Sequence, residues 1–227
     1  MRDLKRLEDI TVSKPEDELD FETIEPAAVR MGIDPYLMLA VVRQEVGARQ
    51  DGFSEEGKAI INYERHQFSE LTAHQYDHKY PSISNPRFYF PKKNEDHPYN
   101  CTQSERWGLL LFAASIDYEA AVQATSFGLF QIMGFNYHLC GCDSPAQFVD
   151  AMHISEQRQF QVWLTFIKEF DCLEPLQRGD TLAFAIRYNT GRNWRIAENY
   201  NKPKAAAKKY ASELRVKYDN LKPRSVA

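Results

Sequence analysis

No stretch of the chain stays apolar over the ~18 residues that a membrane crossing needs, and Met1 to Asp20 has no apolar centre of the secretory-signal kind. A membrane-spanning role is therefore set aside, and a chain made and kept in water is expected. Cysteine is scarce: Cys101, Cys140, Cys142 and Cys172 are too few and too scattered for a disulfide framework. Cys140-Gly141-Cys142 has the wrong spacing for a zinc knuckle, and even with His138 nearby the expectation is semi-buried free thiols and no metal. Basic residues are in the minority, 28 Lys and Arg against 32 Asp and Glu, and the formal net charge of -4 argues against a dedicated nucleic-acid binder. No internal repeat is visible.

What the chain does have is enough apolar material for one sizeable core, with 43% hydrophobic side chains in 227 residues. Tyrosines and phenylalanines gather in the middle of the sequence. Such flat, amphipathic rings suit a carbohydrate-facing groove, although most single rings are expected in the core. Charge is uneven. Residues 1–25 carry nine acids and four bases, residues 202–227 eight bases and two acids. The basic end could meet an anionic envelope, but a charge run on a terminal helix reads first as a solvated face.

Residues 1–18 are polar and acidic and read as a flexible leader, with the folded domain expected over 19–227. A first helix is expected from Asp20 to Met31, stopped by Gly32. Asp34-Pro35 supplies a cap and a first-turn proline for a nearly all-apolar helix, Tyr36 to Val46, on which Met38, Val41, Val42 and Glu45 share one face. Gly47 ends it. A turn region leads to a short strand over Ala59 to Glu64. Four prolines and Phe88-Tyr89-Phe90 mark an irregular segment from Pro81 to Pro98. Thr102 and Glu105 form a capping-box pattern before one or two helices over Trp107 to Ala124. After an interruption at Ser126 to Gly134, Ser144-Pro145, Ser155 and Asp180 each start a helix, and Pro203 to Tyr218 forms the last one.

A carboxylate on an apolar helical face is costly unless neutralised or paired, which singles out Glu45. Desolvation and the negative end of the helix dipole both disfavour its anion, the environment of a general acid. The competing reading is an ion pair with Arg43, Arg49 or Arg65. Glycosidases set a second carboxylate across the scissile bond, and Glu64, at the end of the expected strand in Tyr63-Glu64-Arg65-His66, is the best placed. Arg65 and His66 could hold it ionised as a charge stabiliser or water-activating base, or all three could be a surface network. Asp51 and Asp77 are weaker candidates.

The most specific signal is Ala124-Thr125-Ser126-Phe127-Gly128-Leu129-Phe130-Gln131-Ile132-Met133-Gly134. It resembles the Gly-Leu-Phe-Gln-Ile type motif of goose-type lysozymes and lytic transglycosylases, and is most similar to the N-acetylmuramidase family of phage endolysins. Ala40-Val41-Val42-Arg43-Gln44-Glu45-Val46-Gly47 resembles that family's catalytic-helix motif, and Ile61-Asn62-Tyr63-Glu64-Arg65-His66 its second block. Weaker echoes at Asn136-Tyr137, Phe148-Val149 with Met152, and Phe184-Ala185 to Gly191 extend the likeness over Phe21 to Tyr218. After Glu45 the family shows small residues and several glycines where this chain has Val46-Gly47-Ala48-Arg49.

The resemblance implies a mostly α (α+β), lysozyme-like fold: a helical lobe, a small β-strand region after the catalytic helix, and a groove between them. It implies catalytic roles for Glu45 and Glu64, substrate contacts from Ser126, Gln131, Tyr188 and Asn189, and no cofactor. The implied substrate is peptidoglycan, hydrolysed by a monomer at the β-1,4 bond between N-acetylmuramic acid and N-acetylglucosamine. With no signal segment, synthesis in the cytoplasm and delivery to the periplasm by a holin or secretion machinery are expected. A stand-alone muramidase of this kind suits a small endolysin or an interbacterial toxin. A lytic transglycosylase on the same fold and a non-catalytic wall-binding protein are the alternatives.

Overall fold

The computed structural model describes residues 2–10, 19–47, 51–88, 91–93, 95–190 and 205–223. Their elements, in chain order, are α1 (Arg2–Glu8), α2 (Phe21–Arg30), α3 (Pro35–Val46), β1 (Ile61–Tyr63), α4 (Arg65–Leu71), α5 (Gln103–Ile116) and α6 (Tyr118–Gln123). Then come β2 (Thr125–Phe127), β3 (Ile132–Met133), α7 (Pro145–Met152), α8 (Glu156–Glu169), α9 (Leu173–Gln177), α10 (Thr181–Thr190) and α11 (Ala205–Leu221). The fold is mostly helical with one small sheet, the mostly α (α+β) class that the family resemblance implied. The chain divides into two compact units, one of residues 1–17 and 51–163, the other of 18–50 and 164–227.

The first unit is built around the sheet, ordered β1-β2-β3 and antiparallel throughout. Ile61 opposes Phe127, Asn62 opposes Ser126 and Tyr63 opposes Thr125. Because side chains alternate across a strand, Ile61, Tyr63 and Phe127 are wholly buried, whereas Asn62 is only half-buried. The outer edge of β1 is closed by a side chain: the Gln103 amide accepts from the Ile61 N–H at 2.8 Å and donates to its carbonyl at 3.1 Å. An edge strand is thus satisfied without a fourth strand. Gln103 is held there by the capping box at the start of α5, where Thr102 and Glu105 bond reciprocally as the sequence predicted. Trp107, on the same helix, donates to the Ala59 carbonyl at 3.0 Å and meets Phe127 edge-on. Arg2–Glu8, expected in a leader, forms α1, which packs against α5 with Leu7 buried and Arg6 paired to Asp150.

The second unit packs α3 against α2 and α11, and α11 against α10. The cap predicted for α3 is in place, Asp34 accepting from the N–H groups of Tyr36 and Leu37, while α2, expected to begin at Asp20, begins at Phe21 with Asp20 as its cap, accepting from the Thr23 N–H. Gly32 and Gly47 follow the two helices with φ of +69° and +56°. Small residues let α10 and α11 approach closely, with Ala185, Ile186, Ala207 and Ala211 buried together and Tyr210 packed against them.

Candidate active site

Glu45 lies in the last turn of α3, half-buried, with Met38, Val41 and Val42 of the same face fully or nearly fully buried. Two phenols meet its carboxylate. The Tyr188 hydroxyl from α10 donates to Oε2 at 3.0 Å, and the Tyr210 hydroxyl from α11 donates to Oε1. Their rings share an aromatic wall with Phe184, which stacks on Tyr188 with centroids 5.2 Å apart. Burial, with Glu45 and Tyr188 adding to it, pushes the Tyr210 hydroxyl above the ordinary phenol range. Burial also pushes the nearby Cys172 thiol up to about 12. Of the cations weighed as partners for Glu45, Arg49 lies outside the described residues and Arg43 is exposed.

Glu64 follows β1 immediately, and its backbone N–H donates to the Ala124 carbonyl at 2.9 Å. Being two residues past Asn62, it shares that residue's face of the strand. The Asn62 amide donates to Oε1 at 2.7 Å, and the Tyr99 hydroxyl lies within 2.7 and 2.9 Å of the two carboxylate oxygens. His66 Nδ1 stands 3.4 Å from Oε2. Burial raises the Glu64 pKa, against the opposing pull of Tyr99, His66, Asn62 and Arg106. Arg106 also fixes the neighbouring turn by donating to the carbonyls of Pro98, Ile61 and Tyr99. Arg65, considered as Glu64's companion, is buried and reaches the Asp96 carbonyl at 3.4 Å.

The glycine-containing motif forms the β2–β3 turn. Gln131, with φ of +47°, donates to the carbonyls of Ile60 at 3.2 Å and Gly128 at 2.8 Å, and accepts from Ser126 Oγ at 3.1 Å. Both its amide hydrogens are thus engaged by the turn. Ser126 is buried, and Asn189, exposed on α10, donates to the Ala185 carbonyl of its own helix at 3.1 Å. The structure therefore brings Tyr188 to Glu45 and joins Ser126 to Gln131. Asp77 holds a loop: it accepts from Ser84 at 2.5 Å and faces His74 Nδ1 at 3.2 Å.

Sequence reasoning missed Tyr210, Tyr99 and Arg106. Tyr210 left a signal, since it sits beside Ala211 on the face marked by Ala207, Leu214 and Tyr218 at helical spacing. Tyr99 and Arg106 left none, because their contacts with Glu64 span 35 and 42 positions of chain. Among the described residues, no three His, Cys, Asp or Glu side chains assemble as a metal site, and no helix is long and apolar enough to cross a membrane.

A helical fold with a small antiparallel sheet and a half-buried glutamate ending an apolar helix is the constitution of a glycosidase of the lysozyme class. The N-acetylmuramidase family model matches residues 34–222, and the chain belongs to that family. In three dimensions it is similar to the crystal structure of the Burkholderia AP3 phage endolysin, with a TM-score of 0.70 and 28% identity, over 91% of this chain and 72% of that one. No curated protein matches the chain. The family and the structural likeness make this chain a peptidoglycan-hydrolysing muramidase.

Proposed function

We propose that the chain hydrolyses the β-1,4 bond between N-acetylmuramic acid and N-acetylglucosamine, with Glu45 as general acid and Glu64 as the second carboxylate. The observation that carries the assignment is the setting of Glu45: a half-buried carboxyl at the end of an apolar helix, held by two phenols. Glu45 gives its proton to the leaving glycosidic oxygen, which supplies on the order of a hundredfold to ten-thousandfold in rate. Glu64, ionised among Asn62, Tyr99, His66 and Arg106, orients the attacking water or stabilises positive charge on the sugar. Tyr188, Asn189, Ser126 and Gln131 bind the glycan in the same proposal. Tyr188 acts from beside Glu45, Asn189 from the exposed face of α10, and Ser126 and Gln131 by shaping the β2–β3 turn.

The catalytic domain is taken as residues 19–227, which the family match across both units supports. Action on the cell wall is supported by the likeness to a phage endolysin, and a monomer that reaches the periplasm by way of a holin or secretion machinery completes the proposal. Digestion of purified peptidoglycan tests it. Free reducing ends of N-acetylmuramic acid are expected, and anhydro ends would replace hydrolysis by transglycosylation. Glu45→Gln should abolish lysis yet still be pulled down by peptidoglycan, and retained activity would remove Glu45 from the role of acid.

A further inference from the structure

Glu45 is held by phenols from two helices, and Tyr210 is the one that no motif marks. Its hydroxyl donates to Oε1 while Tyr188 donates to Oε2. The Tyr210 ring is fixed from several sides. It packs against the buried cluster of Ala185, Ile186, Ala207 and Ala211, and its centroid lies 6.2 Å from that of Phe184 and 6.4 Å from that of Tyr188. Such packing leaves the hydroxyl few places to go, and it ends on the carboxylate.

We propose that Tyr210 is a positioning residue for proton transfer by Glu45, fixing the carboxyl group and stabilising the anion that Glu45 becomes as its proton leaves. The proposal builds on the reading of Glu45 as general acid. In that step the Glu45 O–H bond breaks and its proton forms the new O–H bond on the glycosidic oxygen. The sugar C–O bond breaks with its electron pair going to that oxygen, and the carboxylate keeps the electrons of its former O–H bond. A water oxygen forms the new C–O bond to the sugar carbon and releases one proton, and the uptake of one proton by the Glu45 carboxylate restores the acid. Each carboxyl oxygen offers two lone-pair directions, so accepting a phenol does not prevent one of them from carrying the proton. A hydrogen bond to a charged acceptor is roughly twice as strong as one between neutral groups, so the Tyr210 contact strengthens as charge develops. An interaction stronger in the transition state than in the ground state lowers the barrier.

The titratable groups facing Glu45 include Tyr188 on α10, Tyr210 on α11 and Cys172 just before α9, while Lys217 of α11 reaches the adjacent Gln44. Removing one phenolic donor makes the Glu45 anion less favourable and leaves the remaining groups in place. Tyr210→Phe keeps the ring and deletes only the hydroxyl. It is expected to lower kcat roughly tenfold with KM unchanged. The alkaline limb of the pH–rate profile, where Glu45 loses its proton, should move up by about one unit.

A wild-type profile, or a fall in kcat with the limb unmoved, would overturn the proposal. So would loss of the native circular-dichroism spectrum, since the role assigned is confined to the hydroxyl. Glu45→Gln separates this inference from the reading beneath it. If that variant stays active, the general-acid reading fails; if it is inactive while Tyr210→Phe keeps the wild-type profile, only the positioning role fails.

Discussion

The side-chain oxygen of Gln159 occupies the space that a Cβ on Gly128 would need, 2.6 Å from where that atom would lie. Gln159 is wholly buried and cannot withdraw freely: its Oε1 accepts from the Leu129 N–H at 2.7 Å and its Nε2 donates to the Met152 carbonyl at 2.8 Å. The Met152 methyl closes the same space.

Gly128 also has φ of +72°, where a side chain is strained whatever room it finds. Gly128→Val should therefore cost about 3 kcal/mol or more, from backbone strain and overpacking together. Urea unfolding or the yield of soluble protein will show it, and a variant as stable as wild type would mean that the turn can be rebuilt without its Gln159 anchor.

Gln131 has a structural task in the same turn, because its amide links the Ile60 and Gly128 carbonyls and accepts from Ser126. Gln131→Ala should lose about 2 kcal/mol of stability as these groups are left without it. A substrate contact reads differently, as a raised KM in the fraction that remains folded. Measuring the unfolding midpoint and KM on one preparation separates the two, and an unchanged midpoint would leave only the glycan role.

Glu64 gives a pH signature whose sign follows from its raised pKa. A carboxyl raised on folding is a burden once ionised: its contribution is favourable below its unfolded pKa and is lost as pH rises through the folded one. Glu64→Gln should thus be at least as stable as wild type at neutral pH, with the advantage vanishing in acid. If Glu64 works ionised, the acid limb of the rate profile lies above the usual carboxylate value. Tyr99→Phe, by deleting a hydrogen bond that favours the anion, should move that limb higher still. A limb that moves downward would count against an ionised Glu64.

His153 should make the fold acid-sensitive. Burial, assisted by Lys58, lowers its pKa to about 4, against the hydrogen bond to the Val149 carbonyl, and Nε2 is buried without a partner. The unfolded chain binds the proton more readily, so stability is lost as pH falls from 6.5 towards 4 and levels off below. The loss should total about 3 kcal/mol, from a shift of about 2.5 units at about 1.36 kcal/mol each. Unfolding midpoints in this window should fall more steeply for wild type than for His153→Gln, and parallel slopes would assign the acid loss to other groups.

The sequence by itself determined what is local or periodic. Asp20, Asp34, Thr102 and Ser144 cap their helices because a side-chain oxygen a few bonds from free N–H groups needs no tertiary help. The apolar face of α3 and the odd carboxylate on it were legible from a 3.6-residue period, and the Gly128 turn from its motif. Tertiary structure alone decided which groups meet the two carboxylates. Tyr188 and Tyr210 reach Glu45 across 143 and 165 positions of chain, and Tyr99 reaches Glu64 across 35. It also turned Arg2–Glu8 into a packed helix, through the burial of Leu7. Such pairings depend on how helices pack and on which polar groups burial forces together, and neither has a period or a spacing that a linear pattern can carry.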